Sequence, residues 1–470
     1  MTITLDAPAP AAPVAHPRRW LGLFAILSAD LLNLLDSTVG TIAAPAIRAD
    51  LGGSTSTLQW IAAGYTLAMA VGLLVGGRLG DMYGRKRMMI VGVVGFLAAS
   101  LLCALSFSPE MLLASRVLQG GFGAVMVPQS FGLIRELFGG AVGKAFALLG
   151  PVIGLATVLG PVVAGLLVDA DLFGAGWRMI FLINLPLGAF ALVVGRKVLP
   201  DSAPTAAGQK LDVRGALLAA AGMFLLVYPL TQGHEMGWPA WMFAMLAASV
   251  VVLLAFVATQ RSGRVLIRLS VFKRRSYSSG VIFVISFFGV ITGFSLAVGL
   301  FLQLGLGYSP LHASLAMAPW AVGAFVGSAV GATALSGLGR RVLHLGLGLM
   351  AAGLGWIYVS MSADGISLFA LALFGIGMGM IFVPLFDIIV GDLADDEVGS
   401  ASGVLTAVQQ LGASLGIAVL GSLFFSNVDV PAVPAFVDAA EIVTLVALGL
   451  TAVTFALGFL LPRSAKAAAH

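Results

Sequence analysis

Four ionisable side chains stand inside long apolar runs of this chain: Asp30 and Asp36 in the first run, Arg116 in the fourth and Asp387 in the twelfth. A charge held at the centre of a bilayer costs several kcal/mol by most scales, so such groups face a water-filled cavity or one another. A carboxylate in a low-dielectric cavity can load and release a proton near neutral pH. An arginine keeps its proton, so Arg116 can only bias a nearby carboxylate or orient water. Asp30, Asn33 and Ser37 follow an i, i+3, i+7 spacing and form one polar stripe on a helix, with Asp36 projecting beside it. Asp36 is the first candidate for a proton site; a structural hydrogen bond or ion pair is the plainer alternative. Gln119 lies one helical step beyond Arg116 and shares its face. Asp30 sits nearer the start of its run, where a carboxylate is tolerated as readily as it is used. Asp387, past Pro384, is either a second acidic site for substrate or proton or an interfacial residue.

The elements that position these groups follow from composition. The chain has 470 residues, 59% hydrophobic and 10% charged, with a mean hydropathy of +1.05. Soluble domains carry about 25% charge, so this chain needs lipid as its solvent. Runs of roughly twenty apolar residues match the thickness of a bilayer core. Candidate spans lie at 20–44, 57–77, 88–106, 111–134, 144–169 and 179–199, then 213–232 and 239–259, then 277–304, 311–333, 342–361, 366–390, 400–425 and 440–461. The expected fold class is an all-α polytopic membrane protein with fourteen transmembrane helices. An even count puts both termini on one side. With the N-terminus in the cytoplasm, Lys and Arg fall almost wholly in cytoplasmic segments; only Arg48 and Arg178 fall outside, and Arg116 lies within a span. This is the positive-inside asymmetry, and it accounts for a pI near 9.4 without any nucleic-acid partner. Residues 1–17 are rich in Ala and Pro, lack the features of a signal peptide and are expected to form a disordered tail. The single cysteine, Cys103, excludes an intrachain disulfide, and five scattered histidines give no metal-ligand spacing.

The chain also repeats itself. "GFGAVMVP" (Gly121–Pro128) returns as "GMGMIFVP" (Gly377–Pro384), and the charged stretch "GRLGDMYGRKRMM" at 77–89 has a worn echo in "LSGLGRRVL" (Leu335–Leu343) at nearly the same offset. Two matching offsets in the same order predict two parallel six-helix halves around a midplane cavity, with the pair at 213–259 inserted between them. The fifth span, "GPVIGLATVLGPVVAG", holds two Gly-Pro pairs, expected to kink the helix while permitting close packing. Asp392, Asp395, Asp396 and Glu397 form an acidic cluster before the thirteenth span, facing Arg85 or Lys86 if the halves are bridged there. "GGFGAV" is not a phosphate loop, because it lies inside a span with no strand before it. No Ser/His/Asp pattern, metal spacing or nucleotide loop points to an enzyme.

Gly77-x-Leu79-x-Asp81-x-x-Gly84-Arg85-Lys86 resembles the signature between the second and third helices of the major facilitator superfamily. "LLDSTVGTIAAPAI", "RVLQGGFGA", "ATVLGPVVAG" and "WRMIFLINLPLG" (Trp177–Gly188) resemble, in order, the first-helix, fourth-helix, antiporter and sixth-helix motifs of its fourteen-helix drug:proton antiporter branch. Thr41 departs from that pattern's Asn and Ala44 from its Leu, and Ala156 and Ala164 replace glycines. The resemblance implies a proton-coupled exporter of amphipathic drugs or antibiotics in a bacterial cytoplasmic membrane, working by alternating access. A metabolite symporter or uniporter, or a lipid transporter, is the alternative on the same fold. It further implies proton coupling through Arg116 and through Asp36, which sits in the first-helix motif; Asp30 is added to that set, and Asn33, Thr41, Gln119 and Asp387 to a substrate cavity, as candidates, with Asp387 outside the recognised motifs. A cytoplasmic gate at Gly77, Asp81, Gly84, Arg85 and Lys86 and an antiporter-motif hinge at Gly160, Pro161 and Gly165 complete the set. In the gate, Asp81 is expected to latch the halves together, against a helix N-terminus of the other half or with Arg135. The expected organisation is a tail at 1–19, an N-terminal half at 20–199, a linker with two extra helices at 200–262, a C-terminal half at 263–462 and a tail at 463–470. The energy source is the proton gradient with no cofactor; the expected partners are a small amphipathic substrate, protons and lipid, for a monomeric protein.

Overall fold

The computed structural model describes residues 17–463 apart from 38–41, 139–159, 202–203, 205–209, 262–265, 267–268, 334–337, 391–394, 429 and 431. Among the described residues the architecture is helical, with one isolated bridge between Ser362 and Gly365. The long elements are α1 (Arg19–Ser37), α2 (Thr55–Tyr83), α3 (Arg85–Ala104), α4 (Pro109–Phe138), α5 (Gly160–Asp169) and α6 (Asn184–Val198). They continue as α7 (Val213–Gln232), α8 (Ala240–Thr259), α9 (Arg275–Leu300), α10 (Pro310–Thr333), α11 (Arg340–Ser360), α12 (Leu368–Val390), α13 (Asp395–Ser426) and α14 (Val433–Gly458). Twelve of the described helical stretches are long and apolar enough to cross a membrane. α1 is outside that number, since Arg19, Asp30 and Asp36 dilute its apolar character, and α5 is described only from Gly160.

The first apolar run, expected to continue to residue 44, is described as α1 up to Ser37 and, beyond residues 38–41, as a short helix over Ala44–Leu51. Pro45 sits in the first turn of that short helix, where its missing N–H and fixed φ are tolerated. One expectation needs correction. The charged stretch at 77–89, read as a loop, is helical on both sides of Gly84 alone. Gly84 has φ +92°, a conformation that side-chain-bearing residues rarely adopt, and this one residue reverses the chain.

The two halves share one plan. α2 packs along α4, α3 along α4 and α6, and α1 along α6; the same pairings recur as α10–α12, α11–α12, α11–α14 and α9–α14. Close crossings also correspond. A methyl group on Gly76 would stand 2.0 Å from the Ala124 carbonyl oxygen, and one on Gly331 2.7 Å from that of Met380. Gly331 and Met380 are the residues to which the sequence repeat carries Gly76 and Ala124, so each half rests on the same glycine-mediated approach of two backbones.

Between the halves, α2 runs along α13. Ser422 donates to Gln59 Oε1 (3.2 Å), Ser414 to the Ala63 carbonyl (3.3 Å), and Gln410 to Met69 Sδ (2.8 Å). α5 meets α10 where Ser309 Oγ and the Leu311 N–H both donate to Asp169 Oδ2, at 2.6 and 3.2 Å. The inserted helices α7 and α8 pack on each other, and α7 also touches both α2 and α13, with Ser422 donating to the Leu230 carbonyl at 2.7 Å.

Candidate functional site

Five helices of the N-terminal half converge on one buried polar cluster. Arg116 of α4 is 1% exposed and Asp36 of α1 is 0% exposed, and they form an ion pair through Nη1 and Oδ2. The guanidinium also donates to Gln119 Oε1 (2.8 Å) and, through Nε, to the Ile61 carbonyl of α2 (3.2 Å). Gln119 Nε2 donates to Asp36 Oδ1 and to Ser100 Oγ of α3, both at 2.9 Å. Asn184 of α6 donates to Ser100 Oγ at 2.8 Å and to Asp36 Oδ1 at 3.4 Å. Tyr65 of α2 lies under the guanidinium, 4.2 Å from ring centre to Cζ, and its hydroxyl donates to Asn33 Oδ1 at 2.5 Å.

This geometry can exist in two charge states. With Asp36 ionised, the pair is neutral as a unit and each ion is surrounded by hydrogen bonds, the condition a buried pair needs to offset desolvation. A proton on Asp36 removes the counter-charge of Arg116 and leaves an uncompensated guanidinium in the protein interior, which is costly.

Beside the cluster, between the two halves, lies a cavity of about 270 Å³. Tyr65 and Arg116 reach it from the N-terminal half, and Phe288, Trp320, Met378 and Gln409 from the C-terminal half. Asn33 and Gln119, expected on the wall, are held one layer back: Asn33 behind Tyr65, and Gln119, fully buried, behind Arg116. Asp30 is not brought into the cluster; its carboxylate accepts from Ser130 Oγ at 2.7 Å, about four helical turns along α4 from Arg116. Thr41, the side chain of Asp387 and those of the acidic cluster from Asp392 to Glu397 lie outside the described residues.

The ion pairs described for the charged stretch around Gly84 lie within its own half and the linker. Asp81 stands 3.9 Å from Arg85, Arg85 pairs with Glu136 at 3.3 Å, and Lys86 reaches Asp201 at 2.9 Å. Among the described residues the ion-pair partner of Asp81 is Arg85; the side chains at the start of α13, in the other half, lie outside them. Gly77 has room around it, with Pro128 Cβ at 3.9 Å, whereas a methyl on Gly80 would meet Gln129 Oε1 at 1.9 Å. The worn copy serves another purpose. There Arg340 Nη1 donates to the carbonyls of Phe459 (2.8 Å) and Leu461 (2.7 Å) and so caps the end of α14. Gly160 and Pro161 open the described part of α5, and Pro161 reaches the cavity. Gly165 lies at the contact with α10, where a methyl would stand 2.6 Å from the Pro310 carbonyl and from Ser314 Oγ.

Sequence reasoning missed Ser100, Asn184 and Tyr65 as members of the cluster. Asn184 sits within "WRMIFLINLPLG", but an amide in an apolar run gives no sign of a partner 148 residues away.

A profile of the Major Facilitator Superfamily matches residues 26–417. A Streptomyces coelicolor protein named as a probable actinorhodin transporter is 49% identical, over 93% of this chain and 78% of its own length. The tetracenomycin C resistance and export protein of Streptomyces glaucescens is 36% identical, over 87% of this chain and 77% of its own. The puromycin resistance protein of Streptomyces alboniger is 34% identical, over 87% and 82%. Among solved structures, a peptide transporter crystallised with sulfate superposes with a TM-score of 0.67 at 17% identity, over 95% of this chain and 96% of that one; at that identity the likeness is one of fold. The paired halves, the buried cluster beside a central cavity and these relatives agree: the chain is a multi-pass membrane transporter of the Major Facilitator Superfamily.

Proposed function

We propose that the protein exports an amphipathic antibiotic-like compound in exchange for protons, driven by the proton gradient across a bacterial cytoplasmic membrane. The observation that carries this reading is the Asp36–Arg116 pair, buried in the N-terminal half yet adjoining the cavity between the halves. The names of the relatives, which include an export protein and two other antibiotic transporters or resistance proteins, support the direction and the kind of cargo. In this reading all fourteen long helices cross the membrane with both termini cytoplasmic, an orientation that the distribution of Lys and Arg supports.

The cycle follows from the two charge states. Substrate enters the cavity from the cytoplasm while Asp36 is ionised and paired. Outside, a proton reaches Asp36, frees Arg116 from its counter-ion and disturbs the wall formed by Arg116 and Tyr65, so substrate leaves. The proton is then delivered to the cytoplasm as the pair re-forms. Rocking of the halves about the cavity supplies alternating access. The test is a susceptibility panel of antibiotics on cells making wild type or Asp36→Asn in equal amounts. Wild type should raise resistance to at least one compound and lower its accumulation, and Asp36→Asn should do neither. Equal resistance from both would remove Asp36 from the mechanism.

A further inference from the structure

The walls of the central cavity divide their chemistry by half. Charge reaches the cavity from the N-terminal half through Arg116, whose carboxylate partner Asp36 is fully buried behind it. The C-terminal half contributes the Phe288 and Trp320 rings together with Thr292, Ser295 and Gln409. These last three are half-buried and have no hydrogen-bond partner among the described residues, whereas neighbouring Gln410 is already bonded to Met69. None of the described lining residues is a carboxylate.

We infer that the cavity takes an uncharged aromatic molecule bearing hydroxyl or carbonyl groups at its edge, and turns away lipophilic cations. This rests on the exporter reading and specifies its cargo. An aromatic ring gains contact with Phe288 and Trp320. Its polar edge satisfies the Gln409 amide and the Thr292 and Ser295 hydroxyls, neutral groups that both donate and accept. A few such groups on an otherwise apolar wall are what orient a ligand. A cation would shed its water beside the Arg116 guanidinium with no counter-charge among the described lining residues, and desolvation of an unpaired ion is expensive. When Asp36 takes a proton the wall gains positive charge, so the discrimination against cations sharpens at the same step that drives neutral cargo out.

The test uses the full-length protein in lipid nanodiscs and two probes of the same three-ring shape, neutral acridone and the cation 9-aminoacridinium, read by fluorescence anisotropy. Acridone should bind at least about tenfold more tightly than the cation. Gln409→Leu should weaken acridone by about five- to tenfold, the effect of one lost hydrogen bond, and Thr292→Val should weaken it in the same direction if Gln409→Leu fails to fold. Cation binding equal to or tighter than that of acridone overturns the inference, and so does the absence of acridone binding. Loss of cation binding in Asp387→Asn would then assign the cargo class to that carboxylate. Proton movement driven by a cation in membrane vesicles would leave the exporter reading standing while this inference falls.

Discussion

Breaking the buried pair from either side should cost unequal amounts, and breaking it from both sides should cost less than the sum. Arg116→Met removes the ion pair and leaves Asp36 with Gln119 at 2.9 Å and Asn184 at 3.4 Å as its remaining donors. An ion left alone in a protein interior destabilises by about 3–5 kcal/mol. Asp36→Asn leaves Arg116 with the Ile61 carbonyl, Gln119 Oε1 and the Tyr65 ring, so the stranded cation is better served; its loss should be smaller, about 2 kcal/mol, between a lost charged hydrogen bond and a stranded ion. In the double variant neither ion remains. The two losses should then fall short of additivity by about 2–3 kcal/mol, within the range found for directly interacting residues. Unfolding free energies from denaturing-detergent titration of the purified single and double variants give this coupling, and all three variants should be inactive in efflux. Additivity within about 0.5 kcal/mol would mean that Asp36 and Arg116 do not interact in the folded protein, and the two-state account of the site would fail.

Asp30→Asn should lower efflux without abolishing it, measured beside Asp36→Asn in the same cells, because Asp30 bonds to Ser130 and stands apart from the cluster. Gly331→Leu should reduce the protein recovered in membranes through a loss of at least about 1–3 kcal/mol, since any side chain there meets the Met380 carbonyl; normal yield would contradict the close crossing of α10 and α12. The last prediction concerns pH. Asp50, in the short helix after α1, accepts from Arg178 at 2.6 Å and from the Trp177 indole at 3.0 Å, and these bonds hold its carboxyl below the ordinary value. Stability from this contact is present above the ordinary carboxylate pKa of about 3.9 and is lost as pH falls through the lower folded value. The pair is partly exposed, so the effect should stay below about 1 kcal/mol. Thermal unfolding at decreasing pH should show it in wild type and not in Asp50→Asn.

Much of this was legible in the chain, for reasons that differ by feature. Apolar runs and basic flanks report the solvent around each segment, so the apolar helices among the described residues and the repeated plan of the two halves could be read directly. Asp36 and Arg116 stood out because ionised groups in such runs need a reason. Their supporting residues did not: Ser100, Asn184 and Tyr65 come from three other helices, and ordinary polar residues carry no mark of a partner far along the chain. The glycines of the charged stretch show the same limit. Composition announced close packing, but which glycine meets a neighbour depends on helix phase, and it is Gly76 and Gly80 rather than Gly77 that have no room. The cavity wall was hidden for another reason: Phe288 and Trp320 look in sequence like the many aromatic residues that face lipid.

The central claim is that outward movement of cargo carries protons inward through Asp36. Inside-out membrane vesicles, acidified within by respiration and carrying a fluorescent pH indicator, test it directly once the susceptibility panel has supplied a cargo. Adding that cargo should raise the internal pH of vesicles bearing wild type and leave those bearing Asp36→Asn unchanged. Further acidification on adding cargo, or an undiminished response from Asp36→Asn, would contradict the account.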